Sequence, residues 1–131
     1  MNPTRIEGVV TPFKGNGRKF GYPTANIKSN TESTDGVYFG FADMGEFSNH
    51  PAVIFVGTPT TVGDKDRRVE AHLLDIPDKD YYDEKLTLNL EYYHRPNKTF
   101  KDIEALKQAM ADDDTSARQW FGRASNGTDR P

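Results

Sequence analysis

Apolar and polar side chains alternate through much of the first two-thirds of the chain and give way to a three-and-four spacing near its end. The clearest alternation sets Leu86, Leu88, Leu90 and Tyr92 against Thr87, Asn89, Glu91 and Tyr93, a period of two that predicts a strand with one face turned to a core. Arg68–Leu74 repeats the pattern, with Val69, Ala71 and Leu73 opposing Arg68, Glu70 and His72. Gly36–Phe41 places Val37, Phe39 and Phe41 on one face and Tyr38 on the other, and Arg5–Val10 alternates loosely. Ala52–Val56 is a short apolar run that reads as a buried strand. Only Ile103, Leu106 and Met110 carry helical spacing, with Thr99 and Asp102 as a capping arrangement at its start. The run Asp112–Asp114 is expected to interrupt this helix as a solvated end, with Asp114 capping a further turn or two over Thr115–Phe121.

Five or six short strands followed by a helix predict a mainly β domain, a closed or nearly closed barrel with the helix packed outside. The length of 131 residues suits one domain, placed at 1–123, and the polar stretch 124–131 is expected to be a frayed tail. A formal net charge of -3 advertises no basic face for nucleic acid, and no run of 18 apolar residues exists to span a membrane. With no cysteine, disulfides and thiolate metal sites are excluded. His50, His72 and His94 lie too far apart in sequence for a histidine metal motif.

The segment Lys14–Asn26, KGNGRKFGYPTAN, concentrates the candidate chemistry. Its three glycines let backbone N–H groups approach an anion, and Lys14, Arg18 and Lys19 add positive charge. Pro23 stiffens the chain before Thr24 and Asn26, which in extended backbone face the same way and offer two hard oxygens to Mg²⁺. On residue type alone, a basic hairpin turn entering a strand accounts for this segment as well as a phosphate loop does. Likewise Glu70, on the polar face beside Arg68 and His72, reads by itself as a cross-strand ion-pair partner.

The run Gly17–Ile27, GRKFGYPTANI, resembles the signature of riboflavin kinases, and the likeness continues in order through Asp35–Gly40, Val69–Asp75, Asp80–Tyr82 with Leu86, Arg95–Phe100 and the spacing from Ile103 to Arg118. The resemblance implies a six-stranded antiparallel Greek-key barrel with a C-terminal helix, and an enzyme that moves the γ-phosphate of ATP to the 5′-hydroxyl of riboflavin, giving FMN. It implies Thr24 and Asn26 as Mg²⁺ ligands and Glu70 as catalytic base. For the nucleotide it implies Gly17, Arg18, Thr24, backbone near Leu73 and Asp75, and Tyr82. For the flavin it implies Arg95, Lys98 and Phe100, with Tyr93 and Trp120 available as aromatic walls. A cytoplasmic monomer with no nucleic-acid or membrane partner is expected. The runner-up is a non-catalytic flavin- or nucleotide-binding module, a sensor or regulator on the same barrel.

Three positions depart from the family pattern. Pro12 removes a backbone donor after the first strand, Asp83 stands where a glycine is usual, and the segment Val56–Pro59 is short. The turn at Asp83 is expected to change shape.

Overall fold

The computed structural model describes residues 5–12, 21–63 and 65–126. The segment 13–20, which includes Gly17 and Arg18, lies outside the described residues, as do 1–4, 64 and 127–131. Six strands form one sheet: β1 Arg5–Val9, β2 Ala25–Ile27, β3 Gly36–Met44, β4 Phe47–Gly57, β5 Arg68–Leu73 and β6 Lys85–Arg95. Their spatial order is β1-β6-β3-β4-β5-β2, with every neighbouring pair antiparallel. Thr11, just past β1, bridges to Asn26 on β2, its N–H donating to the Asn26 carbonyl at 2.8 Å. That bridge brings the two sheet edges together into a nearly closed barrel, so the expected architecture holds. A 3₁₀ turn at Thr60–Val62 and one helix, α1 Ile103–Asn126, complete the described chain.

The alternating strands turn one face into the barrel. Val69, Ala71 and Leu73 meet Leu86, Leu88 and Leu90 there, with Ile27 and Ile54 fully enclosed. β3 is buried on both sides. Tyr38, Ala42 and Met44 point into the barrel, whereas Phe39, with Phe41, packs outward under Ala117, Trp120 and Phe121 of α1. The face carrying Val37, Phe39 and Phe41 is therefore the outer one, and its hydrophobicity serves the helix.

Tyr92 leaves the alternation that the sequence suggests. The β3–β6 pairing slips twice, between Phe39 and Gly40 and between Val37 and Tyr38. Each slip adds a residue to β6 and reverses the facing of the residues beyond it. Tyr92 thus stacks on Phe39, with centroids 5.7 Å apart, instead of following Leu90 into the core. Strand β2 has only three residues, too few to show a period of its own, and is held by pairing with β5.

The expected break in the helix is absent. Residues 103–126 form one continuous helix that passes through Asp112–Asp114 and reaches three residues beyond the expected boundary at 123. Each aspartate has a partner that keeps the backbone helical. Gln108 donates to Asp112, Arg95 pairs with Asp113, and Arg118 pairs with Asp114 one turn on. Asp113 is buried rather than solvated, at 6% exposure. The helix cap is Asp102, whose Oδ1 accepts the N–H of Ala105 at 2.8 Å, while the Thr99 hydroxyl is engaged by Thr60.

The turn at Asp83 also differs from expectation. Asp83 takes φ 71°, the left-handed conformation that glycine adopts freely, and its N–H donates to the Val10 carbonyl at 2.9 Å. An L residue holds that conformation only with strain. Asp83→Gly is expected to raise stability by about 0.5–1 kcal/mol, read as a higher urea midpoint with unchanged m.

Candidate active site

The site begins with a strand pairing. In the β2–β5 ladder Asn26 stands directly opposite Glu70, flanked by Ala25 opposite Ala71 and Ile27 opposite Val69. Ala25, Ile27, Val69 and Ala71 fill the barrel, so the alternation turns Asn26 and Glu70 outward together. Thr24, two residues before Asn26, shares that outer face. Its hydroxyl donates to Glu70 Oε1 at 3.3 Å and accepts from Asn26 Nδ2 at 3.3 Å. Three residues read as one constellation are thus in mutual contact.

Glu70 is held from its other side as well. Arg68 Nε donates to Glu70 Oε2 at 3.0 Å, and Arg68 is almost wholly buried. Glu70 is thus ion-paired, but within one strand rather than across two as expected, and the pair coexists with the contact to Thr24. A buried guanidinium facing one oxygen fixes the carboxylate's orientation and leaves Oε1 toward Thr24.

Asn26 Oδ1 is buried and has no hydrogen-bond partner among the described residues. A buried amide oxygen left unpaired is costly, and a cation beside it would satisfy it. The amide turns Nδ2 toward the Thr24 hydroxyl, and a flip of that amide would set Oδ1 beside the hydroxyl as the kind of hard-oxygen pair that suits Mg²⁺, whose remaining ligands would come from phosphate and water. Among the described residues no cluster of three His, Asp or Glu side chains forms a metal centre. The two-oxygen site fits a cation shared with a substrate.

Two cavities flank this constellation. The first, of about 400 Å³, lies between the outer face of β3–β5 and the first half of α1. Val37, Val53, Phe55, Phe100, Leu106 and Met110 give it apolar walls, and Glu70 lines it. The second, of about 350 Å³, is more polar and is lined by Leu73, Asp75, Lys79 and Tyr81, among others. Tyr22, Thr24, His72 and Asp114 line both. A flat apolar ring system suits the first, a charged ligand suits the second, and the two meet at Thr24.

Arg95, Lys98 and Phe100 all line the apolar cavity. Arg95 is anchored to the helix. Its Nε and Nη2 grip both oxygens of buried Asp113 at 2.8 and 2.7 Å, tying β6 to α1. Arg95 and Lys98 lie over the Phe100 ring at 5.6 and 5.2 Å. Phe100 is fixed by its own N–H, which donates to the Thr61 hydroxyl at 2.9 Å. The short Val56–Pro59 segment closes against Asn97, whose Nδ2 donates to the Val56 carbonyl at 3.0 Å.

Leu73 and Asp75 line the polar cavity. Asp75 is gripped by both Nη atoms of Arg118, which holds its carboxyl below the usual range. Tyr82 is 44% exposed and is not among the lining residues; Tyr81 is. Tyr93 packs edge-on against Tyr38, and Trp120 belongs to the aromatic cluster beneath α1; neither lines either cavity. Gly17 and Arg18 fall outside the described residues. No local pattern marks Asp113 as the partner of Arg95, or Tyr22 and Asp114 as shared walls, because those contacts join segments far apart in the chain.

The family model described as riboflavin kinase (flavokinase) matches residues 1–121. Over 124 residues the chain is 32% identical to the trifunctional protein RibF/MnmA of Mycoplasmoides gallisepticum, covering 92% of this chain but 19% of that one. It is 27% identical to human riboflavin kinase, covering 85% of this chain and 76% of the human protein. The crystal structure of riboflavin kinase from Trypanosoma brucei superposes with a TM-score of 0.71 at 18% identity, covering 100% of this chain and 88% of that one.

Proposed function

This chain belongs to the riboflavin kinase family, and we propose on that premise that it transfers the γ-phosphate of ATP to the 5′-hydroxyl of riboflavin, forming FMN and ADP. The observation that carries the proposal is the β2–β5 register, which sets Glu70 opposite Asn26 and 3.3 Å from the Thr24 hydroxyl where two cavities meet. In this reading the isoalloxazine occupies the apolar cavity under α1 and the nucleotide occupies the polar one. The ribityl 5′-oxygen attacks the γ-phosphorus as the bond to the β–γ bridging oxygen breaks, and Glu70 Oε1 takes the hydroxyl proton.

Arg68 keeps the Glu70 carboxylate correctly aimed, which is positioning rather than chemistry. Thr24 Oγ1 and Asn26 Oδ1 would hold Mg²⁺. The ion, when bound, supplies compensation for phosphate charge. The surrounding apolar walls limit water at the acceptor, which disfavours hydrolysis of ATP. Arg95, tied up by Asp113, acts as a wall of the flavin cavity with Phe100 and not as a free donor. The nucleotide side is assigned to Leu73, Asp75 and Tyr81. The proposal carries with it a monomer working in the cytoplasm, without nucleic-acid or membrane partners; among the described residues no helix is long and apolar enough to cross a membrane.

Incubation with riboflavin, ATP and Mg²⁺ should yield FMN and ADP in equal amounts by chromatography, and chelation of the metal should stop the reaction. Tight riboflavin binding with no FMN formed would replace this reading with that of a non-catalytic flavin-binding module.

A further inference from the structure

His72 stands between the two cavities and lines both. Its Nδ1 lies 2.7 Å from the carbonyl oxygen of Pro23. A carbonyl only accepts, so Nδ1 carries the proton in that contact. Nε2 has no hydrogen-bond partner among the described residues. The ring is further fixed by Tyr22, edge-on at 5.7 Å between centroids. Pro23 and Tyr22 immediately precede Thr24. Thr24 Oγ1 in turn bonds Glu70 and accepts from Asn26 Nδ2.

We infer that His72 is a positioning residue which, through the Nδ1–H bond to the Pro23 carbonyl, fixes the backbone that presents Thr24 to the cation and phosphates. Residue 23 precedes β2, which starts at Ala25 and pairs with β5 only through Ala25, Asn26 and Ile27. The ladder alone therefore does not hold Pro23. Pro23 has no N–H, so its carbonyl is the one backbone polar group this residue offers for a hydrogen bond. The imidazole supplies that tie from β5, the strand that also carries Glu70. One strand thus sets the base and, through His72, the hydroxyl opposite it. This rests on the proposed kinase reading for what Thr24 holds, but the hydrogen bond itself does not.

The two ring nitrogens can be separated by substitution. An asparagine amide nitrogen reaches the place of Nδ1, whereas a glutamine amide reaches that of Nε2. Mg²⁺-dependent binding of ADP, measured by calorimetry with and without the metal, reads the Thr24 site without turnover. His72→Asn should keep the Mg²⁺ enhancement of ADP affinity within about twofold, and His72→Gln and His72→Ala should lose about five- to tenfold of it. Rescue by Gln and not by Asn, or equal behaviour of all three variants, would overturn the proposal. Histidine ¹⁵N spectra of the unmodified protein supply an arm that no folding defect can obscure: His72 should show the Nδ1-protonated tautomer, and an Nε2-protonated neutral ring would sink the assignment. Failure to form FMN with the Nδ1 tautomer present and the ADP pattern intact would count against the kinase reading and leave the role of His72 standing.

Discussion

Glu70→Gln is expected to lower the rate of FMN formation by about two to four orders of magnitude, the usual contribution of a positioned general base. The substitution keeps the shape, and the new amide oxygen can still accept from Arg68 Nε or from the Thr24 hydroxyl, which flank the native carboxylate at 3.0 and 3.3 Å. What it removes is the group proposed to receive the 5′-hydroxyl proton. The loss should therefore appear in kcat, with riboflavin affinity by flavin fluorescence changed little. Arg68 is buried, at 4% exposure, and loses the charge of its Glu70 partner in the variant. A fall in stability of about 1–3 kcal/mol is expected from that alone, so rates belong well below the variant's thermal midpoint. A folded Glu70→Gln protein working at the unmodified rate would remove Glu70 from the chemistry and leave it as the mate of Arg68.

The largest effect on stability is expected at Gly40, in the middle of β3. A Cβ built there overlaps the carbonyl oxygen of Asn89 and lies 3.2 Å from Ile54 Cδ1. The first neighbour is backbone of β6, beside the slip in pairing between Phe39 and Gly40, so it cannot rotate away as a side chain could. Gly40→Ala must push β3 and β6 apart at the point where the sheet bends between the barrel core and the layer under α1. A destabilisation of about 3 kcal/mol or more is expected, measured by urea unfolding. The same change at Gly122, where nothing lies within 4 Å of the added carbon, is the control and should be neutral or stabilising within about 1 kcal/mol. Equal midpoints for the two variants would show that β6 yields at Asn89 more easily than the close approach suggests.

The two effects test different parts of the fold. Gly40 sits at a bend of the sheet between β3 and β6, whereas Glu70 lies in the β2–β5 ladder at the sheet's edge. A protein destabilised at Gly40 should lose activity with its folded population, and Glu70→Gln should lose activity while folded.

The strands carrying the core were legible because a period of two is a local property: Val69, Ala71 and Leu73, or Leu86, Leu88 and Leu90, declare their shared face without reference to anything else. Thr24, Asn26 and Glu70 were singled out through family likeness, and the fold brings them together; of the neighbouring Tyr81 and Tyr82, it is Tyr81 that lines the polar cavity. Tyr92 shows the limit of periodicity, since a bulge is created by two strands fitting each other. Asp113 shows the same limit for charge: an acidic run looks solvated until an arginine eighteen positions earlier closes on it in space.

By itself, then, the sequence determined the faces of the core strands, the presence of a helix from Ile103 and the residue types at the candidate site, all of which depend on neighbours within a few positions. Only the tertiary structure decided that Asn26 faces Glu70, that Thr24 and Glu70, 46 residues apart, share a hydrogen bond, and that His72 reaches Pro23. Those contacts arise from the register and curvature of a closing sheet, which are set by the packing of all six strands at once and are carried by no single segment.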